Sequence, residues 1–261
     1  MVVIAIIAIL AGMLLPALSK AKTKGQGIFC MNNTRQLMLG WLMYADDNNS
    51  RLVPNATRGA GSVWEPSWVA GWLDFDDNNQ DNVNIDYLIN PGKGAKPYGA
   101  MLGPYTKSHQ IYKCPADDAW IRWRGMRAPR VRSNAMNAFM GGYDDLQGLT
   151  GYRVFRKASD ITAPANAWVF VDEHQNSIND GYFVAPIVPQ GQDVRGDVPG
   201  SYHNRACGFA FSDGHSVIKK WKDSRTVFPV AIRTQLINPH TYAARNPDIE
   251  WLRENSSVVA R

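Results

Sequence analysis

The sequence predicts an α+β fold, in which a long N-terminal helix packs on a globular head with an antiparallel β-sheet. Residues 1–18 are apolar and carry no charge. Residues 19–45 then place apolar side chains at three- and four-residue spacing, which is typical of an amphipathic helix. Strand-forming segments appear only later in the chain. A long helix followed by antiparallel strands indicates the α+β class.

The same pattern divides the chain into three parts. A helix over residues 1–18 would rise about 27 Å, close to the thickness of a bilayer core, so we predict a transmembrane or filament-core helix there. Residues 19–49 are predicted to continue this helix along the head, and residues 50–261 to form the α+β head. Three lysines directly after the apolar run account for much of the net charge of +5, so the charge says little about partners.

Within the head, β-rich patterns predict strands at 110–114, 167–171 and 181–188, and a hairpin of 207–211 with 216–221. A short helix is predicted near 84–88 in an otherwise loop-rich region. A terminal helix is predicted to begin with Asn246 as its cap and Pro247 in its first turn.

Several short motifs follow the apolar run in a set order. They are Cys30-x-Asn32-Asn33, Tyr44-Ala45-Asp46-Asp47-Asn48, Tyr112-Lys113-Cys114-Pro115-Ala116-Asp117, Asp172-Glu173-His174, and His203 with nine residues between it and Asp213-Gly214. Together they resemble type IV pilin-like and type II secretion pseudopilin-like proteins that carry a prepilin-type N-terminal methylation segment and a C-terminal H-x9-DG signature. His203, Asp213 and Gly214 are the signature residues.

The resemblance implies a structural subunit of a type IV pilus-like or pseudopilus-like filament, which assembles with other pilin-like subunits through its N-terminal helix. It places the chain in the bacterial inner membrane as a single-pass protein before assembly. The head would lie in the periplasm or extracytoplasmic space, and after assembly the filament would be periplasmic or at the cell surface. The alternative is a membrane-anchored extracytoplasmic binding module for carbohydrate or DNA.

The chain departs from the family pattern at its start. It begins inside the hydrophobic run, without the family's basic leader and Gly-Phe-Thr-Leu-Ile-Glu stretch, and we expect a start site placed too late. Lys20, Lys22 and Lys24 alone would put the head in the cytoplasm, whereas the resemblance puts it outside.

The sequence argues against an enzyme. It contains no G-x-S-x-G, H-E-x-x-H or P-loop motif. His174 beside Asp172 and Glu173 could serve acid–base chemistry only if the fold placed them in a cleft.

Calcium is the one cofactor that the sequence suggests. Asp172, Glu173, Asn179, Asp180 and Asp213 offer the oxygen ligands that Ca²⁺ takes, and related pseudopilins hold calcium in C-terminal loops. The competing interpretation, which we favour, is that Asp180-Gly181 and Asp213-Gly214 form hairpin turns and bind nothing.

The three cysteines have no metal-type spacing such as C-x-x-C, and three pairings are open. We expect Cys30 and Cys114 to form a disulfide between helix and head, which would contribute on the order of 4 kcal/mol. Cys207 is expected to be a buried free thiol.

Two further patterns suggest ligands for the head. Arginines interleaved with Trp120 and Trp123 suit nucleic acid, although we favour acidic partners in a filament; they are Arg122, Arg124, Arg127, Arg130 and Arg132. Trp64, Trp68 and Trp72 would stack on sugars if exposed, whereas large aromatics more often form core.

Overall fold

The computed structural model describes residues 2–56, 66–92, 98–142, 144–186, 194–235, 240–242 and 245–260. The helices are α1 (Val2–Asp47), α2 (Asp86–Ile89), α3 (Gly103–Thr106), α4 (Asp144–Thr150) and α5 (Pro247–Glu254). The strands are β1 (Trp120–Trp123), β2 (Met126–Pro129), β3 (Asn134–Asn137), β4 (Trp168–Asp172), β5 (Tyr182–Phe183), β6 (Val194–Gly196), β7 (Ala206–Phe211), β8 (Ser216–Lys220) and β9 (His240–Tyr242).

The central sheet has five strands in the order β5-β3-β4-β7-β8. β3, β4, β7 and β8 pair antiparallel, whereas β5 pairs parallel with β3. The prediction of an antiparallel sheet is therefore corrected to a mixed sheet. A two-residue strand that no short turn joins to its partner takes its direction from tertiary contacts, which the local pattern does not show.

Helix α1 runs unbroken through Pro16, Gly25 and Gly27. The described side chains from Ile4 to Lys22 are exposed, and we call residues 4–22 the projecting half of α1. Buried positions begin at Gly27 and recur every three or four residues, at Cys30, Thr34, Leu37, Met38, Trp41, Tyr44 and Ala45. This periodicity is that of a helix with one face on a core.

Among the residues whose side chains are described, no helix is both long enough and apolar enough to cross a membrane. The predicted fold is wrong on this point, because lysines after Leu18 end the apolar stretch of the described helix. The fold is α+β, with a long N-terminal helix and a mixed sheet.

The sheet separates two apolar clusters. The cluster on the α1 side includes Trp41, Trp68, Tyr112 and Phe170. The cluster on the other side includes Trp168, Phe183, Phe209, Trp221 and Leu252.

Strand β7 presents side chains of different size to the two faces of the sheet. Phe209 and Phe211 pack in the cluster away from α1. Gly208 and Ala210 lie on the α1 side, where Gly208 approaches Cys30. Because side chains alternate along a strand, this order puts small residues under the helix and large ones on the far side.

The sequence predicts the hairpin and the terminal helix correctly. β7 and β8 form the antiparallel hairpin, with Gly214 at φ +96° in its turn. The predicted strand at 110–114 is wrong, since His109–Tyr112 is a 3-10 turn that buries Ile111 and Tyr112 in the α1-side core. In the described part of 181–188, only Tyr182–Phe183 is a strand.

The cap of α5 provides a test of this part of the fold. The Asn246 side chain accepts hydrogen bonds from the backbone N–H groups of Asp248 and Ile249, and its amide donates to Thr226 Oγ1 at 3.0 Å. We expect Asn246→Ala to lower the free energy of unfolding by about 1–2 kcal/mol, measured by urea denaturation. Asn32→Ala, on an exposed face of α1, is the control and should not destabilise the protein; equal losses for the two variants would contradict the capping role.

Candidate metal centre

Four buried side chains with metal-ligating groups meet between α1 and the sheet. They are Cys30, Cys114, Asp172 and His203, and one ligand atom of each lies within 4.8 Å of the other three. We call them the four-residue cluster. Within the part of the chain that the structure describes, no other group of three or more His, Cys, Asp and Glu side chains converges in this way.

The contacts inside the cluster are short. Cys30 Sγ donates to Asp172 Oδ2 at 2.5 Å. Cys114 Sγ lies 3.3 Å from His203 Nε2. His203 Nε2 lies 3.8 Å from Asp172 Oδ2. The four groups therefore surround a common point.

Four separate elements supply these groups. Cys30 lies on α1, and Cys114 follows the 3-10 turn His109–Tyr112. Asp172 is the last residue of β4, and His203 precedes β7. The cluster exists only because α1 packs on the sheet.

Polar side chains of α1 that flank Cys30 bind residues 113–115, which we call the Cys114 segment. Gln26 Nε2 donates to the carbonyl of Pro115 at 3.1 Å, and Asn33 Nδ2 donates to the carbonyl of Lys113 at 3.1 Å. These two donors lie about one helical turn before and after Cys30. The backbone N–H of Cys114 also donates to Ser133 Oγ at 2.7 Å, which fixes Cys114 against the residue before β3.

Backbone contacts also position Asp172 and His203. The Asp172 carbonyl accepts from the N–H of Gly200 at 2.7 Å and from Cys207 Sγ at 3.1 Å. The His203 ring lies against Gly27 of α1, where an added Cβ would be 3.6 Å from Nδ1. A methyl group at position 27 would therefore make ordinary van der Waals contact with the imidazole.

Gly208 makes the space in which the cluster forms. A Cβ built on Gly208 would lie 2.7 Å from Cys30 Sγ and 2.8 Å from Asp172 Oδ2. Both distances are below normal van der Waals contact. Glycine is therefore the residue that fits this position of β7.

The electrostatics of the three cysteines differ. The hydrogen bond with Cys114 and burial raise the pKa of Cys30. Burial works to raise the pKa of Cys114 as well, but hydrogen bonds with Cys30 and His203 outweigh it and lower that pKa. Burial raises the pKa of Cys207, which lies outside the cluster and remains a thiol.

Contacts within the cluster favour the cationic form of His203. Burial opposes its charge, but hydrogen bonds with Asp172 and Cys114 raise its pKa to about 9. Its Nδ1 and the Asp172 Oδ1 are buried without a hydrogen-bond partner in the described structure. These atoms are polar groups that the protein alone leaves unsatisfied.

The cluster does not have the arrangement of a Cys-His-Asp catalytic triad. In such a triad the nucleophile and the carboxylate contact different nitrogens of the imidazole. Here Cys114 Sγ and Asp172 Oδ2 both lie near Nε2 of His203. Groups that converge on one another in this way could hold a metal ion.

The predicted disulfide is corrected. Cys30 and Cys114 are free thiols, and they share the cluster with a carboxylate and an imidazole. Cys207 is a buried free thiol, as predicted.

The predicted calcium ligands do not assemble. Of Asp172, Glu173, Asn179, Asp180 and Asp213, only Asp172 joins the cluster. Glu173 accepts from Ser177 Oγ at 2.7 Å, and Asp180 accepts from the N–H of Tyr182 at 2.9 Å. The Asn179 side chain accepts from the N–H of Asp180 at 2.6 Å. Each of these hydrogen bonds joins residues at most four positions apart in the chain.

The two ends of the H-x9-DG signature also separate. His203 and Asp213 lie at opposite ends of β7, whose six residues span about 20 Å. Asp213 contacts His215 in the β7–β8 turn, and Gly214 supplies the positive φ. Only the histidine therefore belongs to the cluster.

The predicted arginine patch is divided between surface and interior. Arg130 and Arg132 are buried and donate to backbone carbonyls, Arg132 to that of Asp180 at 2.6 Å and Arg130 to that of Gln175. The other three, Arg122, Arg124 and Arg127, lie on the β1–β2 hairpin. The predicted five-arginine surface is wrong, because two members hold the interior of the head together.

The remaining candidates from the sequence are not grouped into sites. Trp68 is fully buried and its Nε1 donates to the carbonyl of Gly181, whereas Trp72 is 38% exposed. Trp64 lies outside the described residues. His174 is buried near Phe228, and burial lowers its pKa to about 4, so it is neutral at pH 7.

Comparison of the chain with protein-family models, with curated proteins and with solved structures gives no match. The geometry of the described residues therefore carries the argument about function.

Gly208 offers a test of the cluster that removes none of its four members. We expect Gly208→Ala to lower the free energy of unfolding by about 1–3 kcal/mol, because the new methyl group overlaps Cys30 Sγ and Asp172 Oδ2. Gly25→Ala, where the added Cβ meets nothing within 4 Å, is the matched control and should not be destabilising. Equal stability of Gly208→Ala and the wild type in urea denaturation would show that the packing is looser than described.

Asp197 gives a pH-dependent prediction. Burial raises its pKa from 3.8 to about 8, with Asp180 adding to the effect, although the N–H of Val184 donates to its Oδ2. Between these two pKa values the Asp197 carboxyl is ionised in the unfolded chain but keeps its proton in the folded chain. The free energy of unfolding therefore falls as the pH rises. For one proton the slope is at most about 1.4 kcal/mol per pH unit.

The variant Asp197→Asn has no proton to lose and should flatten the decline between pH 5 and pH 7.5, measured by urea denaturation in steps of pH. Asp46→Asn, at an exposed position of α1, is the control. An unchanged slope in Asp197→Asn would show that another group causes the decline.

Proposed function

We propose that this chain is a structural subunit of a type IV pilus-like or type II secretion pseudopilus-like filament, which assembles by packing α1 against α1 of other copies. The supporting observation is the exposure of the projecting half of α1. Its described large apolar side chains are between 55% and 73% exposed; they are Ile4, Ile7, Ile9, Leu10, Met13, Leu14, Leu15 and Leu18. Such a surface favours burial against another apolar surface.

The distribution of these side chains around the helix axis favours several neighbouring helices over one. At about 100° per residue, Leu10 points about 100° and Leu15 about 240° away from Ile9 around the helix axis. A two-stranded coiled coil buries one narrow stripe of each helix. A helix with apolar groups on at least three sides needs more than one partner helix, which is the situation in a filament core.

The outer surface of α1 stays partly apolar beside the head. Ile28 and Phe29 are both 65% exposed, Leu39 is 54% exposed and Met43 is 52% exposed. These residues lie on the same helix as the buried face that contacts the sheet. Neighbouring copies can therefore pack along most of α1 while the heads remain outside.

Charge complementarity supports a second copy of this chain as the occupant. The projecting half ends with exposed Lys20 and Lys22, and the far end of α1 carries exposed Asp46 and Asp47. These charged groups are about 36 Å apart along the helix axis. Copies offset by that distance would bring opposite charges together, which favours a repeated axial stagger.

Met13 and Met126 provide a matched pair for testing assembly. They are 71% and 72% exposed, on α1 and on β2 respectively. We expect Met13→Lys to weaken self-association of the full chain at least tenfold, because a lysine would be buried between apolar helices. Met126→Lys should assemble like the wild type. Sedimentation velocity and electron microscopy of lipid-free protein measure the outcome.

Two results would contradict the proposal. One is a wild-type chain that stays monomeric at every concentration tested. The other is equal weakening by Met13→Lys and Met126→Lys. Flotation with vesicles of neutral lipid, run in parallel, identifies a lipid-bound monomer, and this outcome would also overturn self-assembly.

A further inference from the structure

We propose that Cys30, Cys114, Asp172 and His203 bind one Zn²⁺ ion, which fastens α1 to the head. This inference concerns the interior of a single chain and does not depend on filament assembly. One ligand comes from α1, and three come from the head. The ion would link α1 to the head at a point where hydrogen bonds otherwise connect them.

The donor set selects the metal. Two sulfurs, one imidazole nitrogen and one carboxylate oxygen are ligands that Zn²⁺ takes in four-coordinate structural sites. Ca²⁺ takes six to eight oxygen ligands, and the cluster has only one carboxylate. The soft thiolates favour zinc over magnesium and calcium.

The spacing of the donor atoms fits a tetrahedral ion. Zinc bond lengths place neighbouring ligand atoms about 3.3–3.8 Å apart. The distances from His203 Nε2 to Cys114 Sγ and to Asp172 Oδ2 are 3.3 Å and 3.8 Å. Cys30 Sγ and Asp172 Oδ2, now 2.5 Å apart through a hydrogen bond, would separate by about 1 Å as the ion replaces the proton.

The carboxylate of the cluster has capacity left for an ion. Asp172 Oδ1 has no hydrogen-bond partner in the described structure, and the side chain is buried. Burying a carboxylate is costly unless a cation compensates it, and a bound Zn²⁺ would take over this role from the His203 imidazolium. Gly208 supports this assignment, because it keeps β7 from filling the space beside Cys30 and Asp172.

The cluster lies next to a cleft in the head. A cleft of about 730 Å³ lies beside α1, and Phe29, Asn33, Cys114 and Trp123 are among the residues that line it. Cys114 is itself fully buried, so a local movement of the side chains around it would have to open the path from the cleft to the thiol.

Zinc binding is balanced by the release of protons from the ligands. Zn²⁺ forms two bonds to sulfur, one to nitrogen and one to oxygen, while the two thiols release their protons to solvent. If His203 is protonated beforehand, Nε2 releases one more proton. No oxidant or reductant takes part, and all four positions are occupied by protein, so the site is structural and not catalytic.

The decisive measurement is metal content and geometry in the full chain. The protein is purified under reducing conditions, stripped with a chelator and reloaded with ZnCl2. Elemental mass spectrometry should then find one equivalent of zinc per chain. Loading with CoCl2 instead should produce the sulfur-to-cobalt charge-transfer band and the intense visible bands of tetrahedral cobalt. The melting temperature should rise with zinc concentration, as expected for an ion that binds the folded state.

Cys207 supplies a matched control for the ligand variants. It is a buried cysteine like Cys30, and its sulfur contacts the backbone of Asp172 outside the cluster. We expect Cys30→Ala to lower zinc affinity at least a hundredfold, and Cys207→Ser, whose hydroxyl can still donate to the Asp172 carbonyl, to keep the full equivalent. Asp172→Asn keeps the shape of the side chain and should also lose affinity, which covers the case in which Cys30→Ala does not fold.

Three outcomes would overturn the assignment. The first is less than a tenth of an equivalent of zinc in reloaded wild-type protein. The second is equal zinc content in Cys30→Ala, Asp172→Asn and Cys207→Ser. The third is a Cys30–Cys114 disulfide found by non-reducing peptide mapping of protein that was purified with the reductant present.

Discussion

The packing of α1 on the sheet holds both the core and the four-residue cluster in place. It covers the apolar cluster that contains Trp41, Trp68 and Phe170, and it brings Cys30 to Asp172. Gly208 allows β7 to approach Cys30 closely, whereas Gly27 faces the His203 ring at ordinary van der Waals distance. Small residues at a helix–sheet contact shorten the distance between backbones and let short polar side chains reach each other across it.

Buried polar groups in the head find different kinds of partner. Arg132 donates to backbone carbonyls, including that of Asp180 at 2.6 Å, although its Nε has no hydrogen-bond partner in the described structure. The side chains of the four-residue cluster instead contact one another. The carbonyls around Arg132 offer oxygen only, whereas the cluster combines thiol, imidazole and carboxylate groups, which are ligands that zinc takes. This difference in donor atoms separates the structural arginine from the proposed zinc site.

The two proposals assign complementary tasks to α1. Its projecting half offers apolar side chains on several sides and is suited to packing with other copies. Its second half is bound to the head by core packing and by hydrogen bonds from Gln26 and Asn33 to the Cys114 segment. The proposed ion lies close to the position where α1 leaves the head, near Gly27. An ion there would fix the direction of the projecting half relative to the head, which a regular assembly requires.

Elements whose signals are local follow from the amino-acid sequence alone. The three- and four-residue spacing along α1, the alternation and Asp-Gly turn of the β7–β8 hairpin, and the cap at Asn246 are all readable from neighbouring residues. All four cluster residues also stood out in the sequence. They were divided among a disulfide, a calcium site and a signature, because no short spacing connects them. Long-range packing instead determines that Cys30 and His203 meet, that Asp213 lies at the other end of β7, that Arg130 is buried and that β5 runs parallel to β3. Each of these depends on contacts between residues far apart in the chain, and such contacts leave no periodic pattern in the sequence.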